Sequence, residues 1–391
     1  MRINQRHLIA SLNKGFGLIE LMIAMALGLL LMAGVLSLYV SNKQSYKTSE
    51  AMGRLQENAR YGLYQLQKDI RMAGYADCAP TIINHLNPAG TGYDDTLFNL
   101  AQAVGGWEFN AGSGTGPGDS YTITDLSPAG IALSSWDDQD GSDLPASLQN
   151  LVVPGTDVFT IKSLGAIEGI SVKSNNNINS NSINSNGANG VPQSTILLVT
   201  QDCFSADLFQ KMNNGSAASL SKGNGSPNPG NTNSPTPPLV GAKKWSAKYG
   251  PGAKFIAFKS TLYFIGMDAD EIPSLYRVSF DSGVAGAPEK IVDGVENMQV
   301  LYGEDTDATA DRIANIYRTI DTIADPERIT SVRLSLLMRT LDAVAAEVDT
   351  KTDYKMAGHS SATATSIDPI NDRFLRYVFT TTVKLRNRGS L

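Results

Sequence analysis

The chain is poor in the residues that build metal centres: its 391 residues include two cysteines and three histidines. A structural zinc site alone takes four such ligands, so zinc clusters and haem ligation lack material. Charge is also scarce, at 18% of residues against about 25% in an average soluble protein. Basic excess is missing. The 32 Lys and Arg stand against 38 Asp and Glu, a net charge of −6, which gives no general electrostatic reason to bind nucleic acid, and none is expected as a partner. No phosphate-binding or dinucleotide-binding glycine pattern occurs, and acidic pairs such as Asp137-Asp138 read as solvated turns, so nothing argues for an enzyme or a cofactor. Disorder throughout is excluded by a hydrophobic content of 42%. The length allows two or three domains, or one heavily elaborated one.

What the chain has is an apolar run. Leu21 to Val40 contains no charged residue, and twenty residues of helix span about 30 Å, the thickness of a bilayer's hydrocarbon core. Residues 1–15 hold Arg2, Arg6 and Lys14 and no acid. The positive-inside rule therefore expects a cytoplasmic N-terminus and an exported remainder. No small-x-small cleavage sequence follows Val40, so the apolar helix is expected to be retained. Glu20, at the edge of the run, calls for a cationic partner, because a carboxylate in a membrane helix costs about 2.5 to 3.5 kcal/mol at the centre and less near the interface.

Lys14-Gly15-Phe16-Gly17-Leu18-Ile19-Glu20-Leu21-Met22 resembles the class III signal shared by type IV pilins and the pseudopilins of type II secretion. The resemblance implies that a prepilin peptidase cuts between Gly15 and Phe16, that Phe16 is then N-methylated, and that Glu20 acts in assembly. A methylated amine stays cationic near neutral pH, and the Glu20 of a neighbouring subunit can neutralise it in a low-dielectric helix bundle.

Beyond Val40 the sequence turns polar but keeps apolar residues at Leu55, Ala59, Leu63, Leu66, Ile70 and Ala73, a helical period. One helix is expected from about Phe16 to Met72, with Gly28, Gly34, Gly53 and Gly62 as points where it can bend. From Cys78 onward, short β-rich runs such as Tyr121 to Thr124, Asp157 to Ile161, Ile196 to Thr200, Phe255 to Phe258, Leu262 to Met267, Met298 to Tyr302, Val332 to Met338 and Tyr377 to Leu385 alternate with turn-rich loops. No long helix regularly follows a strand, which favours antiparallel sheet. The expectation is an α+β, pilin-like chain: a leader over 1–15, an apolar helix over 16–40, its amphipathic continuation over 41–75 and a β-rich domain over 76–391. The Asn-, Ser-, Gly- and Pro-rich segments 174–190 and 213–238 read as mobile, solvated loops.

In an oxidising compartment Cys78 and Cys203 are expected to form a disulfide closing a loop of about 126 residues, worth about 4 to 5 kcal/mol. Two separate buried thiols are the alternative. Asp305, Asp307 and Asp311 place oxygens at alternating positions as calcium loops do, but Ala310 stands at the turn position and Ile316 where an EF-hand has its bidentate Glu. An acidic surface turn is the competing reading. The basic C-terminal residues Arg373, Arg376, Lys384, Arg386 and Arg388 read as exposed charge or a docking surface for another subunit.

Further segments extend the resemblance. Glu57 to Tyr61, Asp69 to Tyr75 with Cys78 after it, Leu275-Tyr276-Arg277, Gly294 to Gly303, Val332 to Leu337 and Arg376 to Arg388 are similar to the PilW family of type IV pilus minor pilins. This implies a low-abundance subunit that helps start pilus assembly in the inner membrane and sits near the fibre tip. The partners implied are other minor pilins, the major pilin, the prepilin peptidase, the inner-membrane assembly platform and, before assembly, the lipid bilayer. The alternatives are a minor pseudopilin of type II secretion and a tip adhesin or other ligand-binding module.

Overall fold

The spacing of apolar residues along the first third of the chain is realised as one 55-residue helix, α1 (Leu18–Met72). The structure, a computed structural model, describes residues 17–74, 81–110, 120–167, 169–201, 205–223, 228–358 and 364–386. Two units are distinguished, Met1–Ala51 and Met52–Leu391. In the first, the apolar residues of α1 are exposed. In the second, the stripe Leu55, Ala59, Leu66, Ile70 and Ala73 is buried, with Leu63 packed partly against the same core.

After α1 come β1 (Ile82–Leu86), the single-turn α2 (Asp95–Phe98), β2 (Val104–Phe109), β3 (Ser120–Thr122), β4 (Trp136–Asp137), β5 (Val158–Ala166) and β6 (Ser182–Asn184). Then follow β7 (Ile196–Thr200), β8 (Ala206–Gln210), β9 (Ser219–Ser221), β10 (Asn231–Thr236), β11 (Lys254–Met267), β12 (Pro273–Ser279) and β13 (Glu289–Asp293). The last are β14 (Val295–Glu304), β15 (Ile316–Arg318), β16 (Ile329–Arg339), β17 (Tyr354–Met356), β18 (Thr365–Asp368) and β19 (Arg376–Lys384). The class is α+β, as the sequence led one to expect.

A ten-stranded sheet runs β10-β1-β8-β7-β11-β5-β2-β4, with β12 pairing β11 and β13 pairing β12. Strand β11 is its spine. The two apolar runs read from the sequence at Phe255 and Leu262 are one strand of 14 residues, pairing in turn with β7, β5 and β12. A second, antiparallel sheet is ordered β15-β14-β16-β19, and β17-β18-β3 and β6-β9 make two small ones. Two pairs are parallel, β1 with β8 and β18 with β3.

One core joins the α1 stripe to both large sheets. Helix and sheet lie close together at Gly62, where an added Cβ would lie 3.0 Å from Val292 Cγ1. That position therefore serves contact rather than bending, whereas Gly28, Gly34 and Gly53 have open space around them. Side-chain bonds fix the helix in register: Asn58 Nδ2 donates to the Asp293 carbonyl at 3.2 Å, Gln67 Nε2 to Thr381 Oγ1 at 2.8 Å, and Tyr263 Oη to Asp69.

A second core differs from the sequence reading. The Asn-rich segments, expected as solvated loops, contribute β6, β9 and β10. Ile183 and Leu220 from them are fully buried with Val172, Phe209, Trp245 and Tyr249. Composition suggested too little apolar area for order, but a few anchors placed opposite the aromatic residues of the sheet and of the loop before β11 supply a local core.

Candidate functional site

The apolar half of α1 is a surface without a cover: an 18-residue window has a mean hydropathy of 2.5 and none of it is buried. Exposed Leu, Met and Val side chains run from Leu18 to Val40. At its start, Gly17 precedes the first helical residue and Glu20 is the third helical one. Glu20 Oε2 accepts from the Gly17 amide at 3.1 Å, and the Glu20 and Leu21 amides donate to the Gly17 carbonyl at 3.0 and 3.2 Å. This is the carboxylate half of a capping box, in which the third residue reaches back to the amide before the helix, and its negative charge also suits the helix N-terminus. The cleavage residues Gly15 and Phe16 lie outside the described residues.

The three acids of the 305–311 loop do converge: ligand atoms of Asp305, Asp307 and Asp311 lie within 4.8 Å of one another. The loop's own donors occupy the innermost of them. Asp305 Oδ1 accepts from the Asp307 amide and from Arg328 Nη2, both at 3.1 Å, and Asp305 Oδ2 from the Arg312 amide at 2.8 Å. Burial works against the Asp305 charge, but the two amides and the Arg328 guanidinium outweigh it and hold the carboxyl below its usual range. The arrangement closes a turn with the chain's own cation.

The segment Gly294 to Gly303 lies at the centre of the second sheet, and every residue of β14 is buried. Each of its polar residues has a partner. Glu296 meets Arg376 in a two-point pair, Oε2 to Nε at 2.5 Å and Oε1 to Nη2 at 3.0 Å. Asn297 Nδ2 and Gln299 Nε2 both donate to the Gly155 carbonyl, at 2.7 and 3.0 Å, and Glu304 Oε1 accepts from the amides of Ala324 and Asp325. Gly294, at φ +79°, has no room for a Cβ, which would lie 2.7 Å from the Arg339 carbonyl oxygen. Arg376, read from the sequence as exposed charge, is thus an interior lock. Lys384 and Arg386 remain exposed, and Arg388 lies outside the described residues.

Residues 262–387 match the family model described as Type IV Pilus-assembly protein W. Residues 11–36 match the Prokaryotic N-terminal methylation motif. Together the two matches support a minor pilin of the type IV pilus. No curated protein and no solved structure matches it. These matches fit a membrane-anchored structural subunit that interacts with other pilus components, and they give the exposed apolar helix a use. The PilW match covers α1's partners in the second sheet, so the matched region is the platform on which the buried half of the helix lies.

Cys78 and Cys203 fall outside the described residues. Beyond them, β1 and β8 run parallel, with Ile82 opposite Ala206. Sequence reading also missed a buried polar cluster on these strands of the pilin domain. His85 Nε2 lies 2.5 Å from Asp207 Oδ1, and Lys222 Nζ 2.7 Å from His85 Nδ1. Asp207 Oδ2 accepts from the Ser246 amide and hydroxyl at 2.9 and 2.6 Å and from Tyr249 Oη at 2.5 Å. Burial alone raises Asp207, but the bonds from His85, Ser246 and Tyr249 outweigh it and hold the carboxyl below its usual range, while burial pushes His85 down. A neutral imidazole that donates through Nε2 and accepts at Nδ1 satisfies both contacts. The lone histidine carried no local signal, because Asp207 is 122 residues away in sequence and Lys222 is 137.

Proposed function

We propose that this minor pilin primes pilus assembly in the inner membrane together with other minor pilins and takes a place near the fibre tip. The observation that carries the reading is the matched methylation motif opening onto an apolar helix whose first half is bare while its second half is packed. In this reading residues 1–15 are cytoplasmic until the prepilin peptidase cuts between Gly15 and Phe16, and the domain after α1 is periplasmic. Extraction of the apolar half into a helix bundle removes its exposed side chains from lipid without exposing them to water. Glu20 exchanges its bond to Gly17 for the methylated Phe16 amine of a neighbour, a charge-assisted contact that gains strength in the low dielectric of the bundle.

The test is a deletion strain complemented with the wild-type chain or with Glu20→Ala. Deletion is expected to abolish surface pili and twitching while type II secretion continues. Wild type restores both pilus readouts and Glu20→Ala restores them poorly, although its domain accumulates in the membrane at normal levels. Lost secretion with intact pili would transfer the protein to the pseudopilins, and full rescue by Glu20→Ala would sink the charge exchange.

A further inference from the structure

Three lysines are buried among the described residues, and two of them are saturated by backbone. Lys162 Nζ donates to the Thr96 and Asp95 carbonyls at 2.6 and 3.3 Å, and Lys211 Nζ to the Val191 carbonyl at 2.9 Å and to that of Asn213. Lys222, only 5% exposed, is different. Among the described residues its ammonium meets no carbonyl and no carboxylate, only the His85 imidazole and, 4.6 Å away, the ring face of Trp245. Asp207, the nearest acid, is already committed to His85, Ser246 and Tyr249. An ammonium taken from water with a single acceptor is costly, and burial pushes Lys222 down to about 7 against the pull of Asp207.

The lysine stands at the wall of a recess. Lys222, one residue past β9, and His85 on β1 form its inner side; Asn231 and Asn233 of β10 line it, and Lys243 and Lys244 stand with them. Three lysines and a histidine thus face one space, and among the described residues no carboxylate lines it. Lys244 Nζ is held in place by Asn233 Oδ1 at 3.1 Å. Its enclosed volume is about 10 Å³, room for one water-sized group at the inner end. It accepts one oxygen of a charged group, the rest of which stays at the open mouth.

We infer that this recess binds a terminal oxyanion, the phosphate, sulfate or carboxylate end of a small ion or larger molecule, with Lys222 as the inner ligand and Lys243 and Lys244 as the rim. An oxygen placed there gives the Lys222 protons acceptors beyond His85 Nδ1, and a charge-assisted bond in a buried setting is the strong kind. The site belongs to the globular domain and is independent of assembly through α1, so it gives the subunit a means of touching something outside the fibre.

The test uses full-length protein in non-ionic detergent, titrated by calorimetry with inorganic phosphate at constant ionic strength in chloride. Saturable binding with one site per chain is expected. Lys243→Ala combined with Lys244→Ala, both on the surface loop, should weaken it about tenfold, which is about 1.4 kcal/mol. Lys222→Met should abolish it, and exposed Lys248→Ala should leave it unchanged. The rim variant carries the test if Lys222→Met does not fold. Phosphoserine, a phosphomonoester, should displace phosphate, whereas a single-stranded oligonucleotide without terminal phosphates should not. Absence of saturable phosphate binding, unaltered affinity in the rim variant, an equal loss in Lys248→Ala, or displacement by the oligonucleotide at lower concentration than phosphoserine would each overturn the inference.

Discussion

Arg376 is 5% exposed, and its guanidinium is divided between Glu296 and the flanking acids Asp372, at 2.7 Å, and Asp349, at 3.4 Å. Removing one member of a buried pair leaves the other charge uncompensated, at about 3–5 kcal/mol. Arg376→Met is expected to lower the unfolding free energy by that amount in chemical denaturation; a loss within about 0.5 kcal/mol, typical of surface positions, would show that Glu296 finds other partners. Asp157 presents the opposite case, a buried acid with too little positive charge. Burial pushes it up to about 8, against the Val300 and Phe109 amides that favour its charged form, and the nearby Asp321 adds to the rise. Because the folded value lies above the unfolded one, near 3.8, the stabilisation is full below about pH 4 and is lost as pH rises towards 8. Melting temperature should therefore fall over that interval, and Asp157→Asn, which keeps an acceptor for the Val300 amide, should flatten the decline. Equal slopes for the two proteins would refute this assignment. Neither residue announced itself in sequence. Arg376 looked like exposed charge because Glu296 lies 80 positions away, and an isolated Asp before a strand reads as a turn.

At the scale of elements, α1 was the most legible part, since spacings of three and four report a buried stripe directly. The strands rich in Val, Ile and Leu were also readable, although the join of two runs into β11 was not. The β1–β8 pairing was illegible, because a parallel contact across more than 100 residues leaves no local period. The role of Gly62 was likewise hidden, since a contact glycine and a bending glycine look alike until the opposing residue is known. This gives a test. Gly62→Leu should destabilise the domain by about 1–3 kcal/mol through overpacking against Val292, whereas Gly53→Ala, with open space around it, should be neutral or gain about 0.4–1 kcal/mol. Similar effects at both positions would deny Gly62 its packing role.

For the molecule as a whole, the disulfide expected between Cys78 and Cys203 is a proposal that chemistry can test. Oxidised protein should resist thiol alkylation until reduced, and Cys78→Ser should cost about 4–5 kcal/mol; two thiols alkylated without reductant would contradict the bond. The methylation motif over residues 11–36 was legible because its signal is local. The cluster of His85, Asp207 and Lys222 was not, because three distant segments build it.

The same distances set an order of events as the chain is made. The stripe of α1 is among the first parts synthesised, yet the surfaces it covers lie at Leu336, 3.8 Å from where a Cβ on Gly62 would stand, and at Thr381, bonded to Gln67. Local contacts form quickly and distant ones wait for loop closure. Half of α1 therefore remains amphipathic and uncovered for almost the whole of biosynthesis, a nascent chain with a sticky flank that is quenched only when its final strand arrives. Truncation anywhere before β19 should yield not a smaller pilin but a substrate for chaperones and proteases.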